Sequence, residues 1–332
     1  MAFVYVSNAA SGEASVLHMA ADGELHVLPP CLIGGNVAPM AVNTQHAMLY
    51  VAQRGQANAV VSLSMDATSG ALVHQATTPL SAKMSYLALD RSASFLMAAS
   101  YHSHHVSVLA LGADGLPVGD EQQVSTPLHP HCVVMTPSNR YALVACLGAD
   151  VLQVHDFDAS TGHLSASPSV EWRTRAQSGP RHLRFSPSGL YVYLLNELDA
   201  SLDVLAWDEQ RLQLRHVQTL STLPPGFGDK PWAAEVHLTP DGQFLMTTER
   251  RSSTLALFRV DGDAGTLTLV GHTLVEAQPR AFAVTPDGQQ VLVAGQLSHH
   301  LARYRFDANA GRLQLTQRLP IGQEPLWIEI VG

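Results

Sequence analysis

Arg181 and Glu197 stand sixteen residues apart on either side of the turn Ser186-Pro-Ser-Gly189, and that spacing brings a guanidinium and a carboxylate together. The stretch Ser178–Glu197 reads as two short apolar strands joined by a Pro-Ser-Gly turn. Antiparallel pairing is symmetric about the turn, so with its centre near Gly189, Arg181 on the first strand is expected opposite Glu197 on the second. Two chemistries fit such a pair. It is either a structural ion pair at a strand end or an anion clamp beside a carboxylate that can accept a proton. A single hairpin favours the first reading, but this hairpin recurs along the chain with different polar residues at its mouth.

The recurrence organises the chain. Related turns begin at Asn43, Asp90, Thr136, Ser186, Thr239 and Thr285, spaced 46 to 53 residues apart. Between them lies a second class of turn followed by leucine, as in Asp22-Gly-Glu-Leu25, Thr161-Gly-His-Leu164 and Asp263-Ala-Gly-Thr-Leu267. Each period holds four strand-like runs, for example Val236-His-Leu238, Phe244-Leu-Met246, Thr254–Phe258 and Thr266–Val270, with no useful helical periodicity. Four strands per ~45 residues is the pattern of a propeller blade. The fold expected is all-β, a seven-bladed β-propeller of four antiparallel strands per blade, forming a single domain over residues 1–332. The chain begins on what should be a second strand, Phe3-Val-Tyr-Val6, and ends on a seventh first strand, Leu326-Trp-Ile-Glu-Ile330. The C-terminal strand is therefore expected to pair with the N-terminal blade and close the ring, leaving no exposed edge there.

In such a ring the first strand of each blade lines a channel, and its start lies beside the end of the second. Those positions read Met40 with Arg54, Met84 with Tyr101 and His102, His131 with Leu147, and Arg181 with Asn196 and Glu197. Next come Ala234 with Glu249 and Arg250, Arg280 with Gln296, and Trp327 with Asn8. The set is cationic around one or two carboxylates, which suits an anionic small molecule, because guanidinium forks hold carboxylate or phosphate in bidentate fashion. Ion pairs between neighbouring blades would read the same way.

Composition narrows the classes. With 46% hydrophobic and 14% charged residues the chain can bury a large core. Its apolar runs are far shorter than the ~20 residues of a membrane span, and its start lacks a basic region ahead of an apolar stretch. A cytoplasmic protein, monomeric or weakly homo-oligomeric, is expected. A net charge of −9 removes the electrostatic basis for binding nucleic acid or anionic membranes. Three cysteines, Cys31, Cys132 and Cys146, are too few for a disulfide framework; Cys132 and Cys146 fall symmetrically about a turn and read as buried thiols.

Several stretches carry a closer likeness: Gly179-Pro-Arg-His182, Tyr193-Leu-Leu-Asn-Glu197, Trp232-Ala-Ala-Glu-Val-His-Leu-Thr-Pro-Asp-Gly242, Gln278-Pro-Arg280, Gly295-Gln-Leu-Ser-His-His300 and Gly322-Gln-Glu-Pro-Leu-Trp327. Through them the whole chain resembles the seven-bladed β-propeller lactonases, with the carboxy-cis,cis-muconate cyclases as more distant relatives. The resemblance implies hydrolysis of a sugar lactone, foremost 6-phospho-D-glucono-1,5-lactone to 6-phosphogluconate, with no cofactor. A muconate-type cyclase is the alternative, and a non-enzymatic scaffold a further one. It also implies that His131, Arg181, Glu197 and Arg280 form the lactone site, and that His182, Asn196, His237 and Gln296 are motif residues around it. Arg54 and Arg250 join them as substrate-binding candidates from the rim. The chain departs from the family at Lys83-Met-Ser-Tyr86, where relatives tend to carry Pro-Thr-His, and at Ser100-Tyr-His-Ser-His-His105.

A δ-lactone is an activated ester, so its hydrolysis needs a positioned water, a base and donors for the oxyanion. Glu197 is the candidate base, Arg181 and Arg280 the anion clamps, and His131 a donor or proton shuttle. Neither a nucleophile elbow nor a phosphate-binding glycine loop is present. Seventeen histidines, His102, His104, His105, His129 and His131 among them, raise the question of a metal. Adjacent histidines on a strand point to opposite faces, so each pair offers one ligand at most, and no set has three-ligand spacing. Dialysis against a strong chelator is therefore expected to leave activity unchanged; loss restored by a divalent ion would reassign the histidine-rich rim to metal binding.

Overall fold

The structure is a computed structural model and describes residues 2–55 and 57–332. Among the described residues the strands form seven antiparallel sheets, and the one helical segment is a single 3₁₀ turn at Leu147–Ala149. The fifth blade shows the order: Pro180–Phe185, Tyr191–Asn196, Ser201–Asp208 and Gln213–Ser221 pair as successive neighbours. The sixth (Ala233–Leu238 to Leu267–Leu274) and seventh (Pro279–Val284 to Arg312–Pro320) repeat it. In the fourth, the outermost strand is broken into His163–Leu164 and Val170–Arg173, both paired with Val151–Asp158. The interruption falls on Ser165-Ala-Ser-Pro-Ser169, where Pro168 has no N–H to give a ladder.

Burial follows strand position. Second strands such as Tyr141–Cys146 and Phe95–Ser100 are buried at every residue and read as unbroken apolar runs, as strands covered on both faces must. Fourth strands such as Leu25–Leu32 and Gln213–Ser221 are mostly exposed and carry polar residues or proline, which blunts the outer edge. Cys132 and Cys146 are buried free thiols, and Cys31 is half-buried. Among the described residues no helix is long and apolar enough to cross a membrane.

The chain divides into two compact units. One comprises Met1–Val144, His155–Pro168 and Ile321–Gly332, the other Ala145–Val154 and Ser169–Pro320. The first unit holds the first three blades, the second the last three, and the fourth is shared. Within each unit the second class of turn is pressed onto an aromatic ring of the preceding blade. The hydroxyls of Tyr5, Tyr50 and Tyr191 donate to the carbonyls of Gly70, Gly115 and Asp263 at 3.1, 2.5 and 2.6 Å. At Gly265 the left-handed φ of +71° and a Tyr191 ring 2.3 Å from where a Cβ would stand leave room for glycine alone.

The ring closes as the repeat predicts. Pro325–Val331 pairs antiparallel with Ala2–Asn8, register Phe3↔Val331 to Ser7↔Trp327, and Trp327 packs edge-on against Tyr86 at 5.2 Å. The cluster of Phe3, Tyr5, Val37, Met40 and Leu49 takes Trp327 and Val331 against it. Deleting residues 326–332 exposes the Ala2–Asn8 backbone as an edge, so the truncated chain is expected to aggregate or melt well below the full chain. Equal melting temperatures would contradict closure by this strand.

Candidate active site

The candidate residues sit where first strands begin, and the backbone there is unusual. Gly179, Gln278, His129 and Glu324 all have left-handed φ, from +55° to +68°, and each precedes a proline: Pro180, Pro279, Pro130 and Pro325. A residue before proline is biased toward extended backbone, so a left-handed one is held there by its surroundings. Immediately after Pro180, Pro279 and Pro325 the ladder slips by one residue, leaving Arg181, Arg280 and Leu326 as bulges. A bulge re-aims a side chain and leaves it without a cross-strand partner.

This corrects the pairing expected from the turn. Pro180, not Arg181, faces Asn196, and Glu197 lies one step past the strand, its N–H donating to Gly179 O at 2.7 Å. The same slip puts Ala233 opposite Glu249, Pro279 opposite Gly295, Asn36 opposite Arg54 and Pro325 opposite Asn8. Gly179 cannot carry a side chain, since its Cβ would stand 2.7 Å from Leu198. Its N–H and that of Gln177 both donate to the Asp150 carboxylate, at 2.9 and 2.7 Å, which fastens the strand start.

The bulge nevertheless brings Arg181 to Glu197. Arg181 Nε and Arg250 Nη2 each lie 2.8 Å from Glu197 Oε2, and Trp232 Nε1 donates to Oε1 at 3.2 Å. Both guanidiniums are further tied to backbone: Arg181 donates to Ala234 O, and Arg250 to Trp232 O and Ala233 O at 3.0 and 2.9 Å. Arg250 also lies 3.8 Å over the Trp232 ring. The Arg181 side chain is 2% exposed and that of Glu197 14%, so the carboxylate is the part of this group that solvent reaches. Burial pushes the Glu197 carboxyl up, but the charges of Arg250, Arg181 and Arg280 outweigh it and hold it below the ordinary glutamate value. Burial works against the Arg250 charge, as does Arg181, while Glu197 favours it.

A second cluster centres on Glu235, also in the sixth blade. Its Oε1 accepts from His182 Nδ1 at 2.9 Å, from the Val236 N–H at 3.1 Å and from Arg184 at 3.4 Å. His237 lies 3.7 Å from the same oxygen. Burial, then the positive charges of Arg181, Arg184 and Arg280, keep His182 neutral. His237 is lowered to about 3 by burial and by Arg184, against the pull of Glu235. Glu235 and Trp232 lie in the Trp232–Gly242 stretch, yet turn symmetry singles out neither: the bulge between Ala233 and Val236 breaks the alternation that would aim Glu235, and Trp232 precedes the strand.

The remaining candidates are placed as follows. Asn196 is fully buried and donates to Ser201 Oγ and Asp203 Oδ2, both at 2.8 Å. Gln296 is half-buried and accepts from Gln278 at 3.3 Å. In the other unit His131 is buried, with Tyr101 edge-on at 6.0 Å, and Tyr101 stacks on His129 at 4.3 Å. His129 donates from Nδ1 to Tyr101 O at 2.9 Å and from its backbone N–H to His104 Nδ1 at 3.1 Å. His102 is exposed and His105 buried. Among the described residues no group of three or more His, Cys, Asp or Glu side chains is arranged to hold a metal ion. Arg54 donates from Nε to Met84 O at 2.8 Å.

Because Glu197 neutralises two buried cations, Glu197→Gln is expected to destabilise the fold by about 3–5 kcal/mol at neutral pH. The sign with pH follows from its lowered value. The stabilisation is complete above the ordinary glutamate value of 4.5 and is lost as pH falls through the lower folded-state value. Denaturant melts of wild type and variant should therefore converge only in acid well below 4.5; a gap that closes at higher pH would contradict the depressed carboxyl.

Comparison with known proteins agrees with this architecture. The family model for a lactonase with a seven-bladed β-propeller matches residues 3–330. The 6-phosphogluconolactonase of Pectobacterium carotovorum subsp. carotovorum is 37% identical over 329 residues, 99% of this chain and 98% of that protein. The enzyme of the same name from Serratia proteamaculans is 34% identical over the same shares. Among solved structures, the periplasmic gluconolactonase of Pseudomonas aeruginosa superposes with a TM-score of 0.91 at 28% identity, covering 100% of this chain and 99% of that one. With a match over nearly its whole length, and close relatives of one name, the chain belongs to the seven-bladed β-propeller lactonase family.

Proposed function

We propose that this lactone-hydrolysing enzyme converts 6-phospho-D-glucono-1,5-lactone to 6-phosphogluconate, the lactone step of the pentose phosphate pathway, in the cytoplasm. The names of its full-length relatives support the substrate. The observation that carries the chemistry is Glu197 itself. It is a partly exposed carboxylate between two buried guanidiniums, with the charge of Arg280 also acting on it, so the group as a whole is positive.

In this reading Glu197 takes a proton from a water as the water oxygen adds to the lactone carbonyl. The tetrahedral oxyanion forms beside the positive cluster, which is where fixed charge lowers the barrier most. The bond from the carbonyl carbon to the ring oxygen then breaks, the Glu197 proton passes to that oxygen, and the products are a hydroxyl and a carboxylic acid that releases its proton to solvent. A carboxyl held below its ordinary value is a weak base, which suffices for an activated ester. Arg280, half-buried at its bulge, serves as the anion clamp, and His182, held by Glu235, supports the strand that carries Arg181.

The test is lactone consumption above the spontaneous rate, followed by titrating the acid released, against muconate as the competing substrate class. Glu197→Gln is expected to lower kcat by about 10²–10⁴-fold. Arg280→Lys keeps the charge and loses the fork, so it should raise KM at least as much as it lowers kcat. The wild-type kcat/KM should stay level from neutral pH to below 4.5, the ordinary glutamate value. An acid limb above that value, or muconate turnover without lactone turnover, would overturn the assignment.

A further inference from the structure

Trp232 is the residue on which both sides of the Glu197 group meet, and every contact described below lies within the second unit. It stands between Pro231, which has no N–H to give a ladder, and the strand Ala233–Leu238. Its backbone is bound on both sides. The N–H donates to Glu249 Oε1 at 2.7 Å, and the carbonyl accepts from the Arg250 backbone N–H at 3.1 Å and from Arg250 Nε at 3.0 Å. Glu249 is itself fixed, since its Oε2 accepts from Ser252 Oγ at 2.6 Å. The indole is held as firmly: the Arg250 guanidinium lies 3.8 Å and that of Arg251 5.6 Å from the ring. A cation against a π face draws electron density from the indole and makes its N–H the stronger donor.

That donor reaches the oxygen of Glu197 that the arginines leave. Oε2 stands between Arg181 Nε and Arg250 Nη2, both at 2.8 Å. Oε1 accepts from Trp232 Nε1 at 3.2 Å and, among the described residues, from nothing else. A carboxylate oxygen has two acceptor sites, so one site of Oε1 is left for the reaction. A proton placed on Oε2 would sit between two cations, which makes Oε1 the oxygen that takes it. The last torsion of a glutamate is broad and two-fold. A donor on Oε1 narrows it and aims the remaining site in one direction.

We propose that Trp232 is the positioning residue of the candidate base: its indole N–H sets the plane of the Glu197 carboxylate, so that Oε1 takes the proton of the attacking water. The proposal rests on the lactonase reading above and names the oxygen of Glu197 that performs the step. As the water oxygen bonds to the lactone carbonyl carbon, its proton passes to Oε1, and the same proton later goes to the ring oxygen. A base acts only within hydrogen-bond reach of the proton it removes, and aim matters as much as reach. The charged groups acting on Glu197 are Arg250, Arg181 and Arg280. Trp232 adds a neutral donor, so removing that donor changes aim and one hydrogen bond while every charge stays.

The experiment compares wild type, Trp232→Phe and Trp232→Ala on 6-phospho-D-glucono-1,5-lactone. Phenylalanine keeps a ring face for Arg250 and loses the N–H, whereas alanine loses both. Trp232→Phe is expected to lower kcat by about 10–100-fold with KM within about twofold of wild type. The acid limb of its kcat/KM should move up toward the ordinary glutamate value of 4.5, because a hydrogen bond to the charged form is gone. Trp232→Ala should lower the melting temperature as well, through Arg250. If the ring serves only to carry Arg250, Trp232→Phe keeps the wild-type kcat and acid limb, and that result overturns the assignment. A second measurement uses wild type labelled with nitrogen-15 tryptophan, whose four indole signals are assigned by elimination from variants of Trp172, Trp207 and Trp327. The Trp232 indole N–H should exchange with solvent about 10–100-fold more slowly than a solvated indole. It decides the case if Trp232→Phe fails to fold: slow exchange upholds the bond to Glu197, and fast exchange overturns it and the proposal together. A wild type that consumes no lactone overturns the lactonase reading itself, whereas an active wild type with an unchanged Trp232→Phe overturns the positioning role alone.

Discussion

Two buried guanidiniums sharing one carboxylate oxygen is the constraint on which the second unit depends. Arg181 and Arg250 come from the fifth and sixth blades, and each would be an uncompensated buried cation without Glu197. Breaking such a group by removing one partner costs several times what an exposed pair is worth. The blades therefore hold their mutual position through charge as well as through the apolar cluster of Tyr193, Leu195, Val236 and Phe258 between them. The arrangement also leaves the carboxylate as the reachable part of the group. In the proposed mechanism a structural ion pair and a reactive one are the same atoms, so the two readings open at the level of sequence need not exclude each other.

That geometry is made by the backbone before any side chain is chosen. A left-handed residue followed by proline and then by a bulge recurs at Gly179-Pro-Arg181, Gln278-Pro-Arg280 and Glu324-Pro-Leu326. Proline removes the N–H that would continue the ladder, and the bulge turns the next residue out of alternation. In two of the three cases the residue so released is an arginine. Strain of this kind persists only where the surroundings over-determine it, as Asp150 does for Gln177 and Gly179.

Much of this was legible in the sequence, for physical reasons. Turn chemistry recurs at a nearly constant interval because each blade must reverse the chain at the same places, so blade number, strand count and closure by Leu326–Ile330 could all be read. The meeting of Arg181 with Glu197 was legible too, although the register behind it was not. Symmetry about a turn assumes an unbroken ladder, and the bulge after Pro180 breaks it. The same slip between Ala233 and Val236 concealed Glu235, the carboxylate that holds His182. Arg54 was visible as a cation near a strand end. What periodicity cannot convey is that its guanidinium donates to Met84 O, because such a contact is a property of packing in three dimensions.

The balance of charge points to how such an enzyme finds an anion. The chain carries a net charge of −9, so its mean field opposes a phosphorylated substrate. At physiological ionic strength that field fades over about 8 Å, and recognition falls to charges fixed within a few ångströms of the ligand. In the second unit three cations act on one partly exposed carboxylate. Local excess of positive charge inside an acidic protein favours selectivity over encounter rate. A neutral or cationic metabolite gains nothing from it, whereas an anionic one gains only after it has come within contact distance.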